Sequence, residues 1–379
     1  MMMWQDIQSL VPPPGKPADF NDCLAAFPQL EFAKLAEQNP LYHGEGNTWI
    51  HTMLVVEALL ADPSYQQASR EDREIVFLAA LLHDVAKYST TIVDPTTGQP
   101  SQPGHSRKGA IDTRIALWEA GAPFAIREAV CNLILAHQVP FFAMMGSRRK
   151  KSPQFIVHEL SWQVSVPLLG MLAQADMRGR VYAGQQQVLD NIELFREVAR
   201  EEGCYGLPRS FADAHTRVSY FRGADVHPDY PLFQRPGSKV TVMSGLPATG
   251  KDTWVAQHRG GLPVVSFDEA RRELGLKHGE NDGKAAHYAR DQAKALLRAH
   301  RPFVWNATHL SPQMRDRTLD LLFAYDAEVE LIYLEQPPAE LFRRNSRRDS
   351  SLTNKTLRAL TLKWEPPLLT EAHQVHYLT

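Results

Sequence analysis

Six side chains able to bind a divalent metal fall in order along the first half of the chain: His51, the adjacent pair His83 and Asp84, then His105, His137 and Asp176. Imidazole and carboxylate together suit Mn, Fe, Co or Ni. Successive residues of a helix project about 100° apart, so His83 and Asp84 can both face one ion near the axis of a helix bundle. His51 and Asp176, from other helices, could complete that ligand set. His105 and His137 could hold a second ion, with Asp84 bridging. A bound metal can lower the pKa of its water from about 15.7 towards 7, giving a hydroxide able to attack a phosphoester. A lone helical histidine is ordinarily structural, and His43 and His158, which fit no position in this order, are read that way. The joint order of the six is what argues for a metal site.

A second chemistry lies further on. Gly245 to Lys251, GLPATGK, fits G-x-x-x-x-G-K directly after the β-rich run KVTVMS and before the helical run DTWVAQH. Gly245 and Gly250 let backbone N–H groups turn towards phosphate oxygens, and Lys251 adds a charge for the β- and γ-phosphates of ATP. Asp252 stands where Ser or Thr usually holds Mg²⁺, with Thr253 one place later. A carboxylate can bind Mg²⁺ directly or through water.

The next strand, PVVSF, leads to Asp268, followed by Arg271 and Arg272. Strand C-terminal ends line the ligand crevice of an α/β sheet. Asp268 there suits a general base towards an acceptor hydroxyl, with the arginines holding a phosphate. The other reading of Asp268 is a helix N-cap. A further strand ends in NATHL, with Arg315 on the following helix. Leu341 to Lys363 carries seven basic residues, Arg344 and Arg348 among them, against Asp349 alone. That segment reads as a lid neutralising charge on a transferring phosphoryl group, or as a solvated helix face.

The elements that must position these groups change character midway. From about Phe20 to Arg200 the apolar pattern is helical, with Glu74–Lys87, Pro123–Ala136 and Val166–Arg180 as its clearest helices. Beyond Lys239, strand-like runs Lys239–Ser244, Pro263–Phe267, Pro302–Asn306 and Glu328–Leu334 alternate with helical ones, which predicts a parallel sheet. The stretch between, with Pro208, Pro228, Pro231 and Pro236, reads as a connection with some structure of its own. The expected organisation is an all-α domain over 1–205, a connection over 206–237 and an α/β domain over 238–379.

Bulk properties agree with a two-domain enzyme. At 379 residues, 44% hydrophobic and 22% charged, the chain has globular and not disordered composition. Its 41 basic and 43 acidic residues balance, so a nucleic acid would have to meet a local basic patch. RRKK at 148–151 is one such patch, or a solvated loop. Cys23, Cys131 and Cys204 form no C-x-x-C pair and are expected to be buried free thiols. The first residues lack the pattern of a signal peptide, and no apolar run is read as long enough to cross a bilayer, so the expected location is the cytoplasm.

The order H…HD…H…H…D, in NTWIH, LLHDVAK, PGHSRKGA, LILAH and QADMRGR, resembles the HD phosphohydrolase superfamily over roughly half of the chain. That resemblance implies a helical fold and a one- or two-metal site, and makes Lys87 a partner for phosphate charge. GLPATGKD, the D-x-x-R of Asp268 and Arg271, NATHL followed by Arg315, and RRNSRR resemble the polynucleotide kinase branch of P-loop kinases. In that branch Asp often stands where this chain has Asn306. It implies ATP and Mg²⁺, with Gly245, Gly250, Lys251, Asp252, Thr253, Arg344 and Arg348 at the nucleotide and Arg271, Arg272 and Arg315 at the polynucleotide.

In this domain order the whole chain resembles bacterial end-healing enzymes that fuse an HD phosphohydrolase to a polynucleotide kinase. The implied activity is opening of 2′,3′-cyclic phosphate ends and phosphorylation of 5′-hydroxyl ends of RNA or DNA, in preparation for a ligase. Two other functions remain open on sequence. One is hydrolysis of mononucleotides joined to a small-molecule kinase; the other is a regulatory nucleotide sensor, supported by Asp252 and Asn306.

Overall fold

The structure, a computed structural model, describes residues 2–145, 151–277, 280–347 and 352–379. It divides into two compact units, Met1–Arg209 and Ser210–Thr379.

The first unit is helical. At its centre lies the helix Arg70–Leu82, which Ser69 starts by accepting a hydrogen bond from the Asp72 N–H, with Glu71 and Asp72 favouring the positive end of the dipole. Every residue from Glu74 to Leu82 is buried, so this helix is enclosed on all sides and not on one face alone. Around it pack Thr48–Leu60, Phe124–Ala136 and Val166–Arg178, contributing Val55, Val56, Leu59, Val130, Ile134, Leu169 and Leu172 to one core. Phe77, fully buried there, would cost about 3–5 kcal/mol if cut to Ala.

The central helix stops at Leu82, five residues short of the sequence expectation. Val85 and Lys87 donate to carbonyls three residues back, those of Leu82 and Asp84, which tightens the chain into a turn before the short helix Lys87–Thr90. His83 and Asp84 therefore sit at a helix end, not on a helix face. Among the described residues of this unit, the β-structure is a two-residue antiparallel pair, Ile92–Val93 with Pro100–Ser101. The stretch Phe124–Met145 is, contrary to the sequence reading, long and apolar enough to cross a membrane by length and composition, but half of its most apolar window is buried within the unit. Cys23, Cys131 and Cys204 are free and buried, and burial pushes the Cys131 thiol up to about 12.

The second unit is built on a five-stranded sheet: β1 Lys239–Ser244, β2 Val264–Ser266, β3 Phe303–Asn306, β4 Glu328–Leu334 and β5 Gln374–Leu378. The order is β2-β3-β1-β4-β5 with every pairing parallel. Helices connect successive strands, as parallel pairing requires. β1 is buried from Val240 onward, which suits a central strand covered on both faces. β5 was not anticipated. It alternates exposed and intermediate residues, the pattern of an edge strand.

Residues 210–237 fall within this compact unit. They include the helix Ala214–Phe221, whose Arg217 donates to the carbonyls of Ala372 and His373.

Candidate metal centre and phosphate-loop site

The first unit brings all six sequence-predicted ligands to one buried centre. His83 and His137 stand immediately after the C-termini of Arg70–Leu82 and Phe124–Ala136, where the helix dipoles present partial negative charge to a cation. His51 comes from the first turn of Thr48–Leu60, His105 opens the helix His105–Glu119, and Asp176 projects from Val166–Arg178.

Asp84 divides the ligands between its two oxygens. Oδ2 lies 3.0 Å from His83 Nε2 and 3.6 Å from His51 Nε2. Oδ1 lies 3.4 Å from His105 Nε2 and 4.0 Å from His137 Nε2. Asp176 meets His51 Nε2 at 3.1 Å through Oδ1 and His137 Nε2 at 3.9 Å through Oδ2. Two triads, His51–His83–Asp84 and Asp84–His105–His137, each have ligand atoms within 4.8 Å of one another.

The supporting groups fix how these ligands point. His83, His105 and His137 each place Nδ1 2.7–2.8 Å from a backbone carbonyl three residues back, those of Ala80, Gln102 and Ile134. A carbonyl only accepts, so Nδ1 carries the proton and Nε2 turns to the centre. His51 is set from behind by Glu45, whose Oε1 lies 3.0 Å from His51 Nδ1, off the line of a good hydrogen bond, and 2.8 Å from His43 Nδ1. Glu45 also accepts from the Val181 N–H and its side chain is only 1% exposed. Arg180 grips Asp176 with Nε and a terminal nitrogen at 2.8–2.9 Å. Lys87 is buried, with its ammonium 2.7 Å from Asp84 Oδ2 and 2.5 Å from Gln38 Oε1.

Charge follows from this packing. Burial alone would raise the Asp84 carboxyl, but His83 and Lys87 outweigh it and hold Asp84 well below the usual carboxylate range. Asp176 is held down likewise, Arg180 overriding burial. Burial pushes His137 down to about 3 and also lowers His105. His83 goes the other way: burial is outweighed by the Asp84 charge beside it. Ionised carboxylates beside the neutral imidazoles of His105 and His137 are what a cation requires. Both Asp84 oxygens and His137 Nε2 are buried with no aligned hydrogen-bond partner. Orphaned groups of that kind are costly unless a ligand satisfies them, so the residues present fit a divalent metal.

In the second unit, Gly245 follows β1 at φ 134° with room for no Cβ, since one would lie 2.2 Å from the Leu334 carbonyl. Gly250, at φ 100°, ends the loop and Lys251 begins the helix Lys251–His258. Lys251 curls back, Nζ donating to the carbonyls of Gly245 and Leu246 at 2.9 and 2.7 Å. Arg344, on the helix Pro338–Ser346, reaches the loop at the Thr249 carbonyl, 3.4 Å away, while pairing with Glu340. Asp252 and Thr253 are exposed in the first turn of the loop's helix. Asp252 accepts a 2.6 Å hydrogen bond from Asn306 Nδ2 at the end of β3.

β2 ends at Ser266, which caps the helix Phe267–Glu273 by accepting from the Glu269 N–H. Asp268 is therefore not the cap. Its side chain is 87% exposed, with Arg271 at 2.7 Å. Arg271 also pairs with Asp282, and Arg272 points away to Glu269.

Arg315 departs from its expected place at a polynucleotide. It is fully buried, bonded to both Glu371 oxygens and to the carbonyls of His309 and Glu365. It ties the helix Pro312–Phe323 to the C-terminal segment and is closed to a ligand. Its spacing from Thr318, Leu319 and Leu322, all buried, was the available sign of an inward position. Arg348, and Arg148 to Lys150 of the basic tetrad, lie outside the described residues. Lys151 pairs with Glu159.

Three contributors escaped the sequence reading: Glu45, Gln38 and Arg180. Arg180 stands four residues after Asp176, just past the end of its helix, a spacing that signals an ion pair. Glu45 and Gln38 carry no such signal, because loop geometry alone places them.

Comparison with known proteins assigns the same two regions. No curated protein is significantly similar to the chain. Residues 48–163 match the family model described as HD domain, and residues 240–367 match that described as AAA domain. Asp176 and Glu45 both fall outside the first match. The chain thus joins an HD domain to a P-loop domain of kinase-like fold.

Proposed function

We propose that this chain is a bifunctional enzyme of RNA end healing. Its HD domain hydrolyses 2′,3′-cyclic phosphate ends and its P-loop domain phosphorylates 5′-hydroxyl ends with ATP. The observation that carries the reading is the pairing of two site types in one chain: ligand triads sharing Asp84, and a parallel sheet with a phosphate loop after β1 and the exposed carboxylate of Asp268 just past the end of β2. One site is suited to phosphoester hydrolysis and the other to phosphoryl transfer. A broken RNA strand offers a substrate for each, and the repaired ends are those a ligase joins.

In the HD domain, His51, His83, Asp84 and Asp176 would hold one metal and Asp84, His105 and His137 a second. A metal there supplies a hydroxide nucleophile and polarises the phosphoryl group. Lys87 and Arg180 keep Asp84 and Asp176 ionised and oriented, and Lys87 adds positive charge beside the phosphate position.

In the kinase domain, Asp268 would take the proton of the 5′-hydroxyl while Arg271 holds the adjoining phosphate. Lys251 exchanges its loop carbonyls for the β- and γ-phosphates, and Arg344 is at hand for the charge that develops. Asp252, held by Asn306, would be the carboxylate available to the Mg²⁺ that accompanies ATP.

The test is a single-stranded RNA with a 5′-hydroxyl and a 2′,3′-cyclic phosphate, incubated with ATP, Mg²⁺ and in turn Mn²⁺, Co²⁺ or Ni²⁺, with both ends read by mass spectrometry. The expected result is a phosphate gained at the 5′ end and an opened cyclic end. Unchanged RNA alongside turnover of free mononucleotides would overturn the reading.

A further inference from the structure

The helix that supplies Asp176 has a second, partly polar face. Pro167, Met171, Gln174 and Arg178 recur at spacings of four, three and four, so they share one side of Val166–Arg178. Asp176 lies two residues, about 200°, from both Gln174 and Arg178, on the opposite side. Across from this polar face runs Gln185–Glu201, which presents Arg196 and Arg200 four residues apart. Together with Ser64 and Tyr205 they line a cavity of about 350 Å³ wholly within the first unit. Natural small-ligand sites begin at about that size, roughly 300 Å³.

The cavity is cationic. Three arginines line it against one acid, Asp62. Asp62 is already engaged: it caps the Ser64 N–H at 2.8 Å, accepts from Gln174 at 3.1 Å and stands 3.7 Å from Arg178. Arg196 is held in place by its packing. A Cβ on Gly170 would lie 2.6 Å from Arg196 Nε, so the guanidinium rests directly on a glycine. One of its nitrogens donates to Gln174 Oε1 at 2.6 Å, while Nε is buried with no partner. Arg200 lies over the Tyr205 ring at 4.7 Å. Glu193, half exposed beside the cavity, pairs with Arg196 at 3.0 Å and Arg200 at 3.1 Å, and is a charge an entering anion would displace.

We propose that this cavity is a phosphate-binding site, separate from the metal centre and on the opposite face of the helix that carries Asp176. Arg178, Arg196 and Arg200 supply the charge and Ser64 and Gln174 the neutral polar groups. A guanidinium cluster selects phosphate through paired N–H donors. The phosphate arrives either as a free anion or as part of an RNA backbone.

The test uses the full chain bearing Lys251→Ala, freed of metal with EDTA, so that the other two phosphate-attracting centres are silenced. Calorimetric titration with inorganic phosphate should detect a site that Arg178→Glu with Arg200→Glu weakens by about ten-fold or more. Both side chains are about half exposed, so the fold does not depend on them. Glu193→Gln should tighten the same site by about two- to five-fold, an effect of opposite sign that damage to the fold would not produce. Binding of a 5′-hydroxyl single-stranded RNA, measured in parallel, separates the sources. Loss of RNA affinity in the double variant assigns backbone phosphate, and RNA binding that is unchanged assigns a free anion. Phosphate affinity that is absent, or equal in all three proteins, would overturn the proposal.

Discussion

The two candidate sites are held in opposite ways. In the HD domain His51, His83, Asp84, His137 and Asp176 have side chains 0% exposed, and Glu45, Lys87 and Arg180 brace them from behind. In the P-loop domain Asp268 is 87% exposed, Asp252 is exposed, and Lys251 occupies itself with loop carbonyls. A centre that must hold a cation before any substrate arrives is preorganised by burial, and its desolvation cost is met by the cation. A site that exchanges nucleotide at every turnover keeps its charges open and loosely paired, ready to trade protein partners for phosphate oxygens. The same contrast sets how each site should respond to substitution.

The largest expected effect lies at the shared carboxylate. Asp84→Asn removes the group common to both triads and should lower cyclic-phosphate hydrolysis by roughly a thousandfold, with ATP-dependent phosphorylation unchanged. Rate measurements of both reactions on one preparation check this. Equal loss of both would break the division into two centres.

Next comes Arg315. Its burial against Glu371 makes it structural, so Arg315→Ala should destabilise the second unit by about 3–5 kcal/mol. Urea denaturation measures that. Unchanged stability with weakened RNA binding would restore the surface role that the sequence suggested.

Glu45→Gln sharpens the account of bracing. It should weaken metal affinity by about 10- to 100-fold, through the orientation of His51, and leave the kinase untouched. Metal titration reads it without reference to activity.

The smallest effect is a pH dependence in the second unit. Burial pushes His309 down to about 4, where its two ring nitrogens face the Met243 carbonyl and Thr318. The folded pKa lies below the unfolded value near 6.5, so the unfolded chain binds the proton more readily. The stabilisation is complete above about pH 6.5 and is lost as pH falls towards 4, by a few kcal/mol at most. His309→Gln should flatten that slope in denaturation curves taken across the interval.

How much was legible follows the same divide between order in the chain and closure in space. The cluster of His and Asp side chains was readable because five elements recur in a fixed order, and the phosphate loop because one short segment contains its turn glycines and its lysine. The strands β1 and β4 were readable to the residue, being apolar runs bounded by turn residues. β5 was not, since its alternation is weak and it lies at an edge, where burial imposes little pattern. The end of the central helix at Leu82 was hidden because His83 to Lys87 continue a helical composition, and only the three-residue carbonyl bonds break it. Arg315 shows the limit most sharply: an arginine's sequence neighbours cannot tell a ligand contact from a buried clasp when its partner, Glu371, is remote in the chain.

The most direct measurement puts Asp84→Asn and Lys251→Ala on one RNA carrying both a 5′-hydroxyl and a 2′,3′-cyclic phosphate, with both ends resolved after a single incubation. The account expects a clean exchange: Asp84→Asn phosphorylates the 5′ end and leaves the cyclic phosphate closed, while Lys251→Ala opens the cyclic phosphate and leaves the 5′-hydroxyl bare. Folded variants that each lose both reactions, or a wild-type protein that alters neither end, would contradict it.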